Sequence, residues 1–518
     1  MNKKNYLMIM NIAGKRFTTA NADLSNRWLW VVFICYAFIS AFAIANHEMW
    51  GDEIHSWNIA KGSSGLHDLF RNIRYEGHPP AWYLIIWTIS KFTHKLVYVQ
   101  AIHWMIATIT VFLILFFSPF PFLSRVLIPF GYYFLFEYAI ISRNYAIGIL
   151  LAVCICLIMK KSFRYKTLIY YVLLFLLSNT HLLGILLAGA IHVYYLLQCK
   201  EQGKKKSLLY LHTVIGLIIA LPAVVFIFPP SDSEMNTQFW LSRWGMRNFR
   251  NFSQSPVRAF IPIPPWWIFP FWNFQFMLEV ANKYKSFWVV NLASAIAIIF
   301  LLVSILKGNK KSVSLFLANL LFSFIVAMTF FTLGAARYSG FLYISFIVAW
   351  WLYCYETPVT KRNIYLVNGL LAFQLFGSVQ PILEDIRFPF SNANRVSELI
   401  NEVSANEKIV TDYWTLNAIS AFTDKPFFCI DLQKEISFII WDGHLKTMLE
   451  RRTRVTEGIE KLQEEGIHEL YMISVNPPDI LSKVDSLLEK KYQVALVDKR
   501  EGAIERSSNL YLYKIEAR

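Results

Sequence analysis

Residues 28 to 53 read WLWVVFICYAFISAFAIANHEMWGDE. The apolar run from Trp28 to Ala45 approaches the roughly 20 residues that a helix needs to cross a bilayer. No small-residue cleavage pattern follows it, so we interpret it as a retained first span and not as a removed signal peptide. Carboxylates follow directly, at Glu48, Asp52 and Glu53. This stretch predicts a membrane protein with an acidic loop immediately after its first span.

Similar apolar runs recur along most of the chain. The 518 residues are 56% hydrophobic and only 16% charged, a composition outside the range of soluble domains. We therefore predict a polytopic α-helical membrane protein with about eleven spans. The spans are expected near 28 to 45, 97 to 117, 126 to 141, 144 to 159, 167 to 178, 181 to 198, 208 to 228, 286 to 306, 313 to 331, 338 to 355 and 363 to 381.

The charged residues divide the chain in two. Of the 35 Asp and Glu, 23 lie after residue 381, whereas residues 1 to 381 contain 12 acidic residues against 32 Lys and Arg. The net charge of +15 therefore comes from the membrane part. Its basic residues lie in short loops between apolar runs, where they report topology and do not indicate a nucleic-acid partner.

Residues 382 to 518 are expected to form a small water-soluble α/β domain. Runs with the character of strands alternate there with runs that have the character of helices. The predicted strands are Lys408 to Asp412, Phe427 to Leu432, His468 to Val475 and Gln493 to Val497, and the predicted helices are Val455 to Glu465 and Ile480 to Lys491.

The orientation depends on one short apolar run, Pro80 to Phe92. If it lies on the membrane surface as a juxtamembrane helix, four basic clusters fall on the same side as the basic N-terminus, and if it crosses, all four face outward. The positive-inside rule favours the first arrangement. We predict a multi-pass protein of the cell membrane with a cytoplasmic N-terminus, residues 1 to 27. The first loop (46 to 96), a second long loop (229 to 285) and the C-terminal domain are then extracytoplasmic.

Acidic residues concentrate in the first outer loop, which holds five of the 12 acids that precede residue 382. An outer loop needs some polar residues in any case, which would explain these acids without a function. The second long loop, however, has only three acids in a similar length. Asp52 and Glu53 follow the first span directly, within reach of a lipid phosphate. A carboxylate at that depth suits a general base for a substrate carried on a lipid, so both are candidate catalytic residues.

The rest of this loop has two recognisable parts. Apolar residues from Ile54 to Ile73 fit an amphipathic helix, broken near 62 to 65, that lies on the bilayer. Then Glu76-Gly77-His78-Pro79-Pro80 fixes an extended entry into the next helix. Glu76 and His78 are candidate partners of the catalytic carboxylate, although paired prolines also simply begin helices.

The order of these motifs resembles the GT-C glycosyltransferases, in particular the protein mannosyltransferases and the bacterial aminoarabinose transferases. The likeness covers roughly residues 28 to 381. It rests on Trp50-Gly51-Asp52-Glu53 after the first span and Gly77-His78-Pro79-Pro80 before an aromatic helix. Three weaker matches are the segment from Glu137 through Ser142-Arg143-Asn144-Tyr145, then Asn179-Thr180-His181, and Arg337-Tyr338.

The resemblance implies an inverting glycosyl transfer. Asp52 would take the proton of an acceptor hydroxyl, which attacks the anomeric carbon of a sugar on a polyprenyl phosphate. A leaving phosphate in a poorly hydrated site needs fixed cations, and Arg matches it best. Arg143 and Arg337 both lie at outer ends of predicted spans and are candidates, although an arginine that anchors a helix end by snorkelling explains each equally well. The expected partners are this lipid-linked donor and membrane lipids.

Several further residues have more than one interpretation. Glu137 is costly in a membrane unless paired, and Arg143 is its nearest partner in sequence, so the two form either an ion pair or a substrate contact. His181 is a ligand, a hydrogen-bonding core residue or a sugar contact. Tyr145 and Tyr338 are taken as substrate-binding on the resemblance alone. The tryptophans of the second loop either anchor it at the headgroups or stack on sugar rings.

No obligatory metal is expected, because Asp52, Glu53 and His55 do not converge as ligands without a further residue. Some relatives use a divalent ion and others do not. Three other classes of protein stay open: a flippase of lipid-linked oligosaccharide, a polysaccharide polymerase or ligase, and a sensor that works through its soluble domain. The flippase hypothesis predicts internal repeats and charged residues near the membrane midplane. The sequence shows no repeat, and its ionisable residues cluster at one face.

Overall fold

The computed structural model describes residues 26 to 233, 245 to 284, 288 to 329, 333 to 403, 407 to 422, 426 to 442 and 454 to 518. The predicted cytoplasmic segment 1 to 27 lies almost entirely outside the described residues, as does part of the second long loop. Within these ranges the chain is mostly helical. A six-stranded sheet follows the helical part.

The helices are numbered in chain order. They are α1 (Asn26–Asn46), α2 (Gly51–Gly62), α3 (Leu66–Ile73), α4 (Ala81–Ser90), α5 (Val97–Phe117), α6 (Phe122–Leu127), α7 (Tyr145–Met159), α8 (Lys166–Ser178), α9 (Leu182–Glu201), α10 (Lys206–Ile227), α11 (Met246–Ser253), α12 (Ser255–Phe260), α13 (Phe276–Lys283), α14 (Trp288–Leu306), α15 (Lys310–Thr329), α16 (Ala336–Glu356), α17 (Lys361–Arg387), α18 (Val396–Asn401), α19 (Tyr413–Ile419), α20 (Arg454–Glu464), α21 (Pro478–Val484) and α22 (Leu488–Lys491).

Among the described residues, eight helices are long and apolar enough to cross a membrane: α1, α5, α9, α10, α14, α15, α16 and α17. Helix α16 is the central one, because 83% of its most apolar stretch is buried, against 11% for α10. The spans predicted over 144 to 159 and 167 to 178 correspond to α7 and α8, with 15 and 13 residues. These are shorter than the roughly 20 residues of a full crossing.

The span predicted over 126 to 141 is not one continuous helix. In its place are the end of α6, a 3₁₀ turn at Ile128–Phe130 and a π-helical turn at Tyr133–Glu137. Pro129 has no N–H to donate to the helix ladder, and Gly131 is in an extended conformation. The segment is nevertheless buried from Tyr132 to Ile141, so it packs inside the bundle as irregular backbone.

The C-terminal sheet has the strand order β3-β2-β1-β4-β6-β5. Its strands are β1 (Lys408–Thr411), β2 (Phe427–Cys429), β3 (Lys434–Ile436), β4 (Glu469–Ser474), β5 (Tyr492–Arg500) and β6 (Leu510–Ala517). β1 pairs in parallel with β2 and β4, and the other pairs are antiparallel. The four predicted strands are present, whereas β3 and β6 were not predicted.

The helix predicted over 480 to 491 is interrupted at Asp485. The buried carboxylate of this residue accepts hydrogen bonds from the backbone N–H of Thr456 at 2.7 Å and of Leu487 at 3.0 Å. An aspartate that binds backbone amides in this way competes with a continuous helix. The segment therefore splits into α21 and α22.

The first loop packs against the C-terminal domain. A hydrophobic cluster joins Ile54, Trp57 and Ile59 of α2 to Leu416 and Ile419 of α19. Every residue of α2 from Glu53 to Ala60 is buried. The expected amphipathic surface helix is therefore wrong for α2, because the C-terminal domain covers its second face, while α3 keeps one buried and one exposed side.

Candidate functional site

Helix ends converge at one end of the bundle. Asp52 is in the first turn of α2, just after α1, Arg143 precedes α7, and Arg337 is in the first turn of α16. The Trp50 carbonyl accepts the N–H groups of Glu53 and Ile54 and so begins α2. Acidic side chains in the first turn are favoured by the partial positive charge of a helix N-terminus. This is why the Asp-Glu pair occurs where the chain turns from α1 into α2.

The carboxylate of Asp52 lies between two guanidinium groups. Its Oδ2 is 3.6 Å from Nη1 of Arg143 and 3.3 Å from Nη2 of Arg337. Arg143 also donates to the backbone carbonyl of Asp52. The Asp52 side chain is 39% exposed, whereas those of Arg143 and Arg337 are 9% and 16% exposed. The structure thus brings together residues that are 91 and 285 positions from Asp52, with the carboxylate open to solvent.

The charges set the protonation state of Asp52. Partial removal from water by itself raises the pKa of this carboxyl, but Arg143 and then Arg337 outweigh that effect and hold the pKa below its ordinary value. Asp52 is therefore ionised at neutral pH. With two arginines around one carboxylate, the cluster keeps an excess of one positive charge, which suits an anionic ligand.

Arg337 is surrounded by aromatic rings. Its guanidinium carbon is 5.3 Å from the ring centre of Trp50, 5.6 Å from that of Trp272 and 5.1 Å from that of Tyr338. Cation–π contacts of this kind hold a guanidinium in place while leaving its N–H groups free to point elsewhere. Tyr338, predicted to bind substrate, therefore contacts Arg337. Trp272 comes from the second long loop, so that loop contributes to the site.

Glu53 has a different environment from its neighbour Asp52. Its buried carboxylate accepts the backbone N–H groups of Trp50, at 3.1 Å, and of Ser142. The Ser142 contact fixes the chain immediately before Arg143. Glu53 was predicted to be catalytic, and that stays a prediction; in the structure both of its oxygens accept backbone hydrogen bonds, so it fixes the chain at Trp50 and Ser142.

A third partner of Glu53 was missed from the sequence. Oε2 of Glu53 is 3.1 Å from Nε2 of His47, and Nδ1 of the same ring is 3.0 Å from Oδ2 of Asp385. Burial by itself lowers the pKa of His47, but the negative charges of Asp385 and Glu53 have the larger effect and raise the pKa to about 10. Both ring nitrogens therefore donate, and His47 is an imidazolium between two carboxylates. His47 and Asp385 are 338 positions apart, and no sequence pattern indicates that they pair.

Glu76 is also paired. Its Oε2 is 2.6 Å from Nε2 of His55, and Nδ1 of His55 is 2.6 Å from the side-chain oxygen of Asn417 in α19. Burial lowers the pKa of His55, while Glu76 raises it, and the net shift is upward. Glu76 thus favours the protonated form of His55 between the first loop and the C-terminal domain.

His78 is close to the charged cluster. Burial, and then the positive charge of Arg143, lower its pKa to about 3, so the ring is neutral at physiological pH. Its Nδ1 is buried and makes no hydrogen bond with any described residue. Gly77 takes a left-handed conformation, with φ of 65°, to turn the chain from Glu76 into the prolines. His78 therefore offers a neutral polar group beside Asp52.

Tyr145 and His181 form an aromatic layer behind the arginines. The His181 ring is 4.9 Å from the ring of Tyr145 and 4.6 Å from that of Phe341. Nδ1 of His181 accepts the backbone N–H of Gly184 at 3.0 Å and so caps α9. Both residues are buried. Their ring contacts are those of packed core side chains, whereas Nε2 of His181 is buried and has no hydrogen-bond partner among the described residues.

The suggested pairing of Glu137 with Arg143 is wrong. The buried carboxylate of Glu137 accepts the hydroxyl of Tyr132 at 2.7 Å and the indole N–H of Trp272 at 3.3 Å. Arg143 contacts Asp52 instead. Glu137 therefore positions Trp272, the ring that packs against Arg337.

Basic side chains gather at the other end of the bundle. Nζ of Lys311, at the start of α15, is 2.8 Å from Glu356 and also contacts Glu201, which end α16 and α9. The opposite ends of α16 and α9 carry Arg337 and His181. The basic loops and the Asp52 cluster therefore lie at opposite ends of the same helices.

Comparison with protein-family models and with curated proteins gives no match for this chain. The case for a function therefore rests on the side chains described above. The decisive group is the ionised, solvent-open Asp52 between Arg143, which is buried, and Arg337, which is partly buried.

Proposed function

We propose that this chain is a membrane glycosyltransferase of the GT-C type. It moves a sugar from a polyprenyl-phosphate carrier to an acceptor hydroxyl on the extracytoplasmic side, with inversion at the anomeric carbon. The observation that carries the proposal is Asp52 between Arg143 and Arg337. A carboxylate and fixed guanidinium groups within 4 Å of each other supply the base and the anion site that such a transfer needs.

In the proposed reaction, Asp52 accepts the proton of the acceptor hydroxyl. The hydroxyl oxygen forms a bond to the anomeric carbon, and the bond from that carbon to the phosphate oxygen breaks. The electron pair leaves with the carrier phosphate. Arg143 and Arg337 stabilise the charge that develops there, and the rings around Arg337 keep its planar group in position.

The ion pairs imply an order of events. Without donor, both arginines hold the pKa of Asp52 below its ordinary value, which makes it a weak base. A donor phosphate competes for the same guanidinium groups and partly neutralises them. The pKa of Asp52 then rises, so the base becomes effective only when the leaving group is in place.

The proposed orientation follows from the two ends of the bundle. Lysines such as Lys311 lie at the end of α16 and α9 opposite to Arg337 and His181. The positive-inside rule places that end in the cytoplasm. The Asp52 cluster and the C-terminal domain then face the extracytoplasmic side of the cell membrane. We expect no obligatory metal, and the acceptor class stays open.

The test replaces Asp52 by Asn, which keeps the shape and removes the base. Asp68→Asn is the matched control, since Asp68 is an acid of the same loop that pairs with Arg71 at the surface. Both variants and the wild type are expressed in a deletion strain, and envelope glycans are compared by mass spectrometry. We expect Asp52→Asn to lose product by about 10²- to 10⁴-fold, the usual contribution of a general base.

Equal membrane levels of both variants are the required control for insertion. Product at the wild-type level from Asp52→Asn would contradict the proposed mechanism. An unchanged glycan profile in the deletion strain itself would favour a non-catalytic sensor. Accumulation of a complete lipid-linked oligosaccharide would favour a flippase.

A further inference from the structure

A polar cavity whose lining does not include Asp52 lies between the end of α4 and the C-terminal domain. Its lining includes Lys61 at the end of α2 and the segment from Lys91 to Lys95, which joins α4 to α5. Phe422, in a 3₁₀ turn at Ser420–Phe422 of the C-terminal domain, is also part of the lining. The cavity thus forms where three parts of the fold meet.

The lining is cationic. Lys61, Lys91 and Lys95 contribute ammonium groups, and none of the described lining residues is Asp or Glu. Nζ of Lys91 donates to the carbonyl of Ser63 at 3.0 Å and lies 4.8 Å from the ring centre of Trp87. These contacts hold the ammonium at the rim. Of the three N–H donors of the Lys91 ammonium, the Ser63 carbonyl accepts one, and no other described residue is a hydrogen-bond acceptor for this group.

A hydroxyl group adds to this chemistry. The Oγ1 of Thr93 accepts the backbone N–H of Lys95 at 3.2 Å, which orients Thr93 and leaves its own proton to donate. Ammonium groups and a hydroxyl donor around an open cavity are the groups that bind phosphate oxygens. The ligand chemistry is therefore that of a phosphate ester.

The surroundings indicate where such a phosphate comes from. Phe92, between the two lysines, is 86% exposed, and Val97 and Tyr98 at the start of α5 are 58% and 51% exposed. Helix α5 is one of the eight helices able to cross a membrane, and it begins two residues after Lys95. An exposed aromatic residue next to lysines at the end of a span is typical of the headgroup level of a bilayer.

We propose that this cavity binds the headgroup phosphate of an anionic membrane phospholipid, with Phe92 inserted among the acyl chains. The bound lipid ties the C-terminal domain and the α4 to α5 connection to the membrane surface. The inference needs that α5 crosses the membrane and that the leaflet beside the cavity contains anionic phospholipid. It does not depend on the transferase reaction.

The experiment is native mass spectrometry of the full chain in detergent, titrated with phosphatidylglycerol or with phosphatidylcholine. The test variant is Lys91→Gln with Lys95→Gln, and the matched control is Lys483→Gln with Lys490→Gln, in α21 and α22 of the C-terminal domain. Each basic residue near an anionic surface contributes about fivefold in affinity, so the double variant should bind the first phosphatidylglycerol roughly 25-fold more weakly. The control should bind as the wild type does.

Lys95→Gln alone leaves the contact between Lys91 and Ser63 intact and should weaken phosphatidylglycerol binding about fivefold. This single variant keeps the test valid if the double variant does not fold. A third titration uses soluble glycerol phosphate. Wild-type affinity for phosphatidylglycerol in both test variants would overturn the proposal. So would equal affinity for phosphatidylcholine, or glycerol phosphate binding as tightly as the lipid, which would assign the cavity to a free anion.

Discussion

The chain Asp385–His47–Glu53 allows a quantitative prediction. His47 is fully buried with two carboxylates 3.0 and 3.1 Å from its ring nitrogens. A rise of its pKa from 6.5 to about 10 corresponds to roughly 4 to 5 kcal/mol of stabilisation of the folded state. Removing one partner of a buried ion pair costs about 3 to 5 kcal/mol, which agrees with this value. His47→Gln should therefore destabilise the fold by roughly 4 kcal/mol.

Asp385→Asn should cost less, about 1.5 to 3 kcal/mol, because the imidazolium keeps Glu53 as a partner and only one charged hydrogen bond is weakened. His47→Gln leaves two buried carboxylates without a positive partner, and adding Asp385→Asn removes one of these charges. The double variant should therefore lose about 1 to 3 kcal/mol less stability than the two single losses added together. The assay is equilibrium unfolding in identical lipid nanodiscs, with Asp68→Asn as the surface control.

The same group predicts a pH dependence. Its pKa is higher in the folded state than in the unfolded chain, so the folded state binds the proton more tightly. The stabilisation is complete below about pH 6.5 and is lost as pH rises toward about 10. His47→Gln should remove this slope. Additive effects in the double variant, or the same slope in His47→Gln and wild type, would refute the imidazolium bridge.

Two further predictions concern the surroundings of Arg337. Gly340→Ala places a Cβ against the ring of Tyr133 and the hydroxyl of Tyr138, and this hydroxyl donates to the Arg337 carbonyl. The substitution should lower the free energy of unfolding by about 1 to 3 kcal/mol and should also lower the transfer activity. Gly369→Ala is the control, because Gly369 has open space around it and the free energy of unfolding should not change. Arg337→Lys keeps the positive charge but loses the planar group that packs on the aromatic rings. The KM for the donor should therefore rise several-fold, the equivalent of about 1 kcal/mol. An unchanged KM would show that the aromatic rings do not position the cation.

The sequence carried reliable information wherever a signal is local. Helices match the apolar runs over 97 to 117, 208 to 228 and 286 to 306 to within a few residues, because a membrane helix is specified by one contiguous stretch. The break near 62 to 65 and the strand at 408 to 412 were likewise visible in short windows. The span over 126 to 141 failed, since apolar composition does not show that the segment packs as irregular turns inside the bundle.

Asp52 and Glu53 are neighbours in sequence and were given the same role, but only the tertiary structure separates them. Packing places Arg143 and Arg337 beside Asp52, while Ser142 and His47 occupy Glu53. These partners lie 6 to 285 positions away, and no local pattern encodes which of two adjacent carboxylates will meet them. Sequence alone therefore determined that acids follow the first span, and the fold decided which of them stays open to solvent.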